Sequence, residues 1–393
     1  MQLRKTVILA ASTSFILGGM NAQDLQSVVN GNNKFAFQLY ANIKDSGNLF
    51  YSSFSISTAL AMTYAGARGE TEKQMSRTMD FNPAQSIFNN GYKNLLEKIK
   101  SDTVGGVILD IANSLWAEQS CKFLKTYIDI TNSDYMSELK KADFVHDDNR
   151  VKAVKEINEW VEQKTENKIN NVVDHLDATT RLLLINAIYF KGKWKHQFPK
   201  NDTREQFFNS GNGAKVSAMF MHLKNSFNYC ENTFVKAISI PYIGDKTSMI
   251  AFLPNSSNNI KQLEDSLTYS FYLKTLRLLK PEEVFLSIPK FKMTKKIDLS
   301  GALSKMGMPI AFGDNADFSG MSNEQLKINK VLHEAYVDVS EEGTEAAAAT
   351  VVEVGATSVE PLPFFNADHP FIFFIIDNQS GSVLFMGKVM NPN

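Results

Sequence analysis

The chain has 393 residues, 44% of them hydrophobic and 28 of them Phe, which is enough to bury a large core. Lys plus Arg total 41 against 42 Asp plus Glu, a net charge of −1 that argues against a generic nucleic-acid or anionic-membrane partner. No Pro/Gly/Ser-rich linker and no internal repeat divides the chain, so one large α+β domain over residues 23–393 is expected.

Arg4 and Lys5 precede an apolar run from Thr6 to Leu17, followed by Gly18, Gly19 and Asn21-Ala22-Gln23. This is the pattern of a secretory signal over residues 1–22, cleaved near Ala22, and the run is too short to span a membrane. The mature chain is therefore expected to be secreted, to the periplasm or cell surface if the source is bacterial. Only Cys121 and Cys230 occur, so disulfides do not hold the fold together and two free thiols are expected.

Residues 24–43 carry an imperfect helical stripe through Leu25, Val28, Val29, Phe35, Leu39, Tyr40 and Ile43. The segment Asn48 to Ile56 leads into an apolar helix, Ala59 to Ala67, with Ser52, Ser53 and Ser55 placed to cap its N–H groups. Lys93, Lys98 and Lys100 share a predicted helix, where Glu97 and Asp102 dilute them into a solvated face. Val107 to Trp116 alternates as a strand, with Val107, Leu109, Ile111 and Leu115 on one side. Val151 to Lys168 is an amphipathic helix whose apolar side is Val154, Ile157, Trp160 and Val161.

Arg181 to Trp194 reads as a continuously buried strand with one amide, Asn186, in its middle. A buried amide without partners costs roughly 1 to 3 kcal/mol, so Asn186 is expected in a polar network. Pro241 to Pro254, Val284 to Lys292 and Ile328 to Val339 are further strands, and Leu299 to Met306 is a short helix.

The least ordinary stretch is Glu341-Glu342-Gly343-Thr344-Glu345, then Ala346, Ala347, Ala348, Ala349 and Thr350. Four alanines favour helix, whereas the β-branched residues that follow favour strand. Read with a period of two, Thr344, Ala346, Ala348, Thr350, Val352 and Val354 form one small or apolar face, and Glu345 and Glu353 lie on the other. Glu341 to Gly343 on one flank and Pro361 and Pro363 on the other interrupt any continuous strand. An exposed helical loop and a strand held in reserve both remain open on composition.

Enzyme motifs are missing. There is no Gly-x-Ser-x-Gly elbow, P-loop or dinucleotide fingerprint, and His333-Glu334 starts a zinc-protease pattern that Val337 ends. The six histidines do not cluster at metal spacing, so neither a metal nor another cofactor is expected.

The run Glu341 to Thr350 resembles the proximal hinge of the reactive-centre loop of an inhibitory serpin. The strand from Leu182 to Trp194 and the closing segments Phe364 to Asp377 and Ser382 to Pro392 also match that family, in its order, from about residue 30 onward. The resemblance implies a large central, mostly antiparallel sheet with further sheets, eight to nine helices, and an exposed loop over about 341–363. It implies a suicide-substrate inhibitor of serine proteases, not an enzyme, acting as a metastable monomer that inserts its cut loop into the sheet. Asn186 and His333, with Ser52 and Ser55 nearby, match the shutter, where Ser53 stands in place of the family's usual proline; Trp194 matches the breach.

The family's spacing places the reactive bond between Thr357 and Ser358, behind Val354, Gly355 and Ala356. No Lys or Arg occurs from Val331 to Gly387, so elastase-like or subtilisin-like proteases are the expected targets, and cysteine proteases could also accept so bland a loop. The alternative is a serpin-fold carrier or chaperone that no longer inhibits. The retained alanines and the terminal Pro392-Asn393, which is no retention signal, favour inhibition.

Overall fold

The computed structural model describes residues 22–81, 84–102, 106–135, 137–256, 259–344 and 362–393. The expected signal segment up to residue 21, the hinge residues Glu345 to Thr350, and Val354 to Ser358 lie outside the described residues.

Nine α-helices occur among the described residues. The first half holds α1 (Ala22–Ile43), β1 (Leu49–Tyr51), α2 (Ser53–Gly66), α3 (Gly69–Thr78), α4 (Gln85–Asp102), β2 (Val107–Glu118), α5 (Lys125–Asp134), β3 (Glu138–Ala142), α6 (Asp147–Lys164) and β4 (Leu182–Lys193). There follow β5 (Arg204–Asn209), β6 (Lys215–Glu231), β7 (Val235–Pro241), β8 (Thr247–Pro254), α7 (Ile260–Ser266), α8 (Tyr269–Leu276), β9 (Lys280–Pro289) and β10 (Phe291–Asp298). The chain closes through α9 (Ser300–Met306), β11 (Lys330–Ser340), β12 (Gly343–Thr344), β13 (Phe364–Asn366), β14 (Phe371–Asp377) and β15 (Val383–Val389).

The central sheet has six strands in the order β10-β11-β12-β4-β2-β3. Its pairings are mixed: β10–β11 and β2–β4 run antiparallel, whereas β11–β4 and β2–β3 run parallel. Nine further strands form the second sheet.

Period-two alternation divides the central strands between two cores. Leu182, Leu184, Ile188 and Phe190 of β4, with Val331, Ala335, Val337 and Val339 of β11, join the main core. Leu183, Ile185, Ala187 and Tyr189, with Leu332 and Tyr336, pack in a second cluster beneath α6. There Ile157, Trp160 and Val161 supply the helix's apolar side. Burial on both faces is why β4 reads in sequence as an unbroken apolar run.

Several element bounds differ from the sequence expectation. Helix α6 starts at Asp147 and stops at Lys164, because Glu166 and Asn167 adopt left-handed φ of 48° and 60°, which no helix propagates. Helix α2 begins at Ser53, with Ser52 as its N-cap: Ser52 Oγ accepts from the Ser55 N–H at 3.0 Å. The stretch Pro241 to Pro254 is a turn followed by a strand starting at Thr247. Cys121 and Cys230 are free.

Candidate functional site

The parallel pairing of β11 with β4 runs from Lys330 opposite Leu183 to Tyr336 opposite Tyr189, and above that point the two strands part. The opening is occupied by β12. Thr344 pairs with Val339 on one side and Gly192 on the other, and Gly343 pairs with Ser340 and Lys193. Glu341 and Glu342 form the turn that brings the chain back from β11.

Three sets of contacts hold this turn. The Trp194 and Phe198 N–H groups donate to the carbonyl oxygens of Glu342 and Glu341 at 3.0 and 2.9 Å, and Trp194 Nε1 donates to Ser340 O at 2.9 Å. Both carboxylates, though largely buried, are paired: Lys290 Nζ lies 2.9 Å from Glu341 Oε2 and Lys200 Nζ 2.6 Å from Glu342 Oε1. Burial pushes the Glu341 carboxyl upward, but the Lys290 ammonium and its hydrogen bond outweigh this and hold it below the ordinary range. Finally, Tyr242 stacks on Trp194 with centroids 4.5 Å apart, and its hydroxyl meets Thr344 Oγ1 at 2.8 Å.

The backbone approach is too close for any side chain at Gly343. A Cβ there would collide with the carbonyl oxygen of Gly192 and lie 2.7 Å from Lys193 Cα. Glycine is required because β4 passes directly beside it.

Midway down the seam, Ser52, Ser55, Asn186 and His333 come together in one buried network. The Ser52 backbone N–H donates to His333 Nε2 at 3.1 Å, which places the imidazole proton on Nδ1, where it donates to Asn186 Oδ1. That bond fixes the amide orientation, and Asn186 Nδ2 then donates to Ser55 Oγ and to Asn113 Oδ1. Ser55 Oγ in turn donates to Asn113 Oδ1 at 3.1 Å, and Ser52 Oγ to Leu384 O at 2.7 Å. The network thus ties α2, β2, β4, β11 and β15 together. Burial lowers the His333 pKa to about 3, so the ring is neutral and its Nε2 remains an acceptor.

Asn113 was not anticipated. It falls on the same face of β2 as Ile111 and Leu115, and only the pairing of β2 with β4 sets it opposite Asn186. Glu334 was also unforeseen as a site residue. It points to the α6 side of β11, next to Lys296 on β10, and it is buried with Oε2 lacking a hydrogen-bond partner among the described residues. Burial raises this carboxyl to about 7; Lys296 opposes the shift and Asp174 adds to it. Lys296 Nζ is instead engaged by Asp174 Oδ2 at 2.7 Å and Asn171 O at 2.9 Å, on the segment that follows α6.

What the arrangement can do is separate. Two parallel strands meet below a wedge that has already begun between them, and a hydrogen bond from His333 to Asn186 crosses the closed part.

Residues 30–392 match the family model of serpin, serine protease inhibitor. The chain is 40% identical over 370 residues to an uncharacterized serpin-like protein of Thermococcus kodakarensis, covering 93% of this chain and 86% of that one. It is 37% identical over 378 residues to the leukocyte elastase inhibitor of Sus scrofa, covering 92% and 98%. The solved structure of human thyroxine-binding globulin complexed with thyroxine superposes with a TM-score of 0.86 at 28% identity, over 94% of this chain and 100% of that one.

Proposed function

The chain belongs to the serpin family, whose members are mostly protease inhibitors, and we propose that it is a secreted suicide-substrate inhibitor of elastase-like or subtilisin-like serine proteases. The observation that carries this reading is β12: the hinge residues Gly343 and Thr344 stand between β11 and β4 at the top of their seam.

Thr344 faces Tyr242 and the main core, which sets the side each following residue would take in a growing strand. Carried forward two by two, Ala346, Ala348, Thr350 and Val352 would face the same core, and no charge or bulky group lies among them. The register of Thr344 opposite Gly192 and Val339 brings Thr350 opposite both Asn186 and His333. Insertion must break the hydrogen bond between those two, and the Thr350 hydroxyl arrives where both lost partners need one.

The chemistry belongs to the protease. Its nucleophile attacks the carbonyl of Thr357, an acyl-enzyme forms, and the amine of Ser358 leaves. The loop from Thr344 onward then enters the seam and carries the acylated protease with it before water can release it. About ten inserted residues gain roughly 10 kcal/mol at about 1 kcal/mol per ladder bond, so the uncut form is held by a kinetic barrier.

Mixing the protein with an elastase-type protease tests this on a denaturing gel. A covalent complex is expected, together with a released C-terminal peptide whose mass begins at Ser358. Absence of a complex with elastase-type and subtilisin-type enzymes alike would favour the non-inhibitory carrier or chaperone, and a peptide beginning elsewhere would move the reactive bond.

A further inference from the structure

Most large apolar side chains of the second sheet point inward, and Val284, Leu286 and Phe365 are wholly buried. Three aromatic residues break the pattern: Phe207 of β5, 68% exposed and away from the β13 edge, and two that are neighbours. Phe285 of β9 and Phe364 of β13 are 45% and 47% exposed, and they are cross-strand neighbours in the parallel β13–β9 pair. Strand β13 ends the sheet, so the two rings share an outer face at its edge. On the other side of Phe285 lies Lys224, paired with Glu283 at 3.2 Å. Lys236, paired with Glu231, donates to the Phe364 carbonyl at 3.1 Å. The charges bordering the rings are thus mixed and mutually neutralised, so the patch offers apolar area and not a field of one sign.

The backbone beneath is firm, since the Phe285 N–H donates to Pro363 O at 3.0 Å and all three residues of β13 are paired with β9. A fixed, adjacent aromatic pair on an outer face is the composition of an interface centre, because it adds contact area at low entropic cost.

Chain length says what reaches it. Phe364 is six residues beyond Ser358, and six extended residues span at most about 20 Å. A standard interface covers about 800 Å² on each partner, a disc of roughly 16 Å radius. Phe364 therefore lies inside or at the rim of the contact made by a protease seated on the Thr357–Ser358 bond, on the side of its cleft that holds the leaving segment.

We propose that Phe285 and Phe364 form an accessory docking surface for the target protease, taking an apolar patch on the leaving-group side of its active-site rim. The inference rests on the inhibitory reading above and adds a determinant of target choice outside the loop. The pair accelerates capture and has no part in loop insertion, so it acts on the association rate and leaves the partition between trapping and release alone.

The test is the double variant Phe285→Ala/Phe364→Ala of the full chain, assayed against an elastase-type and a subtilisin-type protease, with thermal melting to show that the fold is unchanged. For the better-inhibited enzyme the second-order association rate should fall at least about tenfold. The moles of inhibitor consumed per mole of protease should stay the same, and the loss should persist at high salt because no ion pair is involved. An unchanged association rate, while the wild-type chain still traps the protease, overturns this inference and leaves the inhibitory reading intact. So does a wild-type dimer in sedimentation that the double variant abolishes, since the patch then belongs to a second copy. Failure of the wild-type chain to trap either protease overturns both.

Discussion

On the inhibitory function proposed above, Thr344→Arg converts the protein from an inhibitor into a substrate: the loop is still cut, but the yield of covalent complex falls at least about tenfold. Thr344 is wholly buried between β11 and β4, and its hydroxyl meets Tyr242 beside Trp194. A guanidinium in that position would meet stacked rings and no carboxylate, because Glu341 and Glu342 already hold Lys290 and Lys200. In the intact chain such an arginine leaves the seam for solvent, so insertion must bury it again; desolvating an unpaired charge costs several kcal/mol, and each 1.4 kcal/mol added to the insertion barrier slows it about tenfold. Deacylation by the protease is untouched, so the race goes to hydrolysis. Thr344→Ser, which keeps the hydroxyl and the size, should behave like wild type. Normal complex yield from the Arg variant would contradict the insertion mechanism.

The second large effect is a pH dependence built from two adjacent residues on opposite faces of β11. Burial lowers His333 to about 3 from an ordinary 6.5, so between those values the unfolded chain carries a proton that the folded one lacks. Stability is then lost as pH falls through that range, by up to about 1.4 kcal/mol per pH unit. Protonation would also set an Nε2–H against the Ser52 N–H, donor to donor. Glu334 works in the other direction. Burial raises it to about 7 from 4.5, so the folded chain holds the extra proton and stability is lost as pH rises through that interval. From about pH 4.5 to 6.5 the two effects oppose each other.

Glu334→Gln removes one of them. The variant and the wild type should melt together near pH 4, and the variant should become progressively the more stable of the two as pH rises toward 7. Thermal melting across that range checks it; a gap that stays constant with pH would show that Glu334 does not titrate in the folded state as its surroundings require.

The sequence made β4 legible because burial on both faces removes alternation, and the one amide in that run announced Asn186 as part of a network. The hinge stood out for a related reason: four alanines that favour helix run into β-branched residues that favour strand, a conflict that an ordinary loop does not show. What was hidden depended on partners distant in the chain. Asn113 looks like any polar residue in an alternating strand until β2 pairs with β4 and sets it opposite Asn186. Glu334 follows a histidine in an exposed-looking pattern, and only the cover supplied by α6 and the segment after it buries the carboxyl. Tyr242 belongs to a turn that composition reads as strand, yet it closes on both Trp194 and Thr344. The length of β6, 17 residues, escaped notice because its outward face is polar and its neighbours, β5, β7 and β9, pair with different parts of it.

The central claim is that the intact chain sits above its lowest free energy, with the His333–Asn186 contact and the closed β4–β11 pairing across the path downhill. Its most direct test is to nick the loop with a catalytic amount of a protease that cuts between Glu345 and Pro361, then compare melting of the nicked and intact proteins. The account predicts that the nicked protein melts later by about 10 °C or more, the gain expected from about ten new ladder bonds. A nicked protein that melts at or below the temperature of the intact one would contradict it.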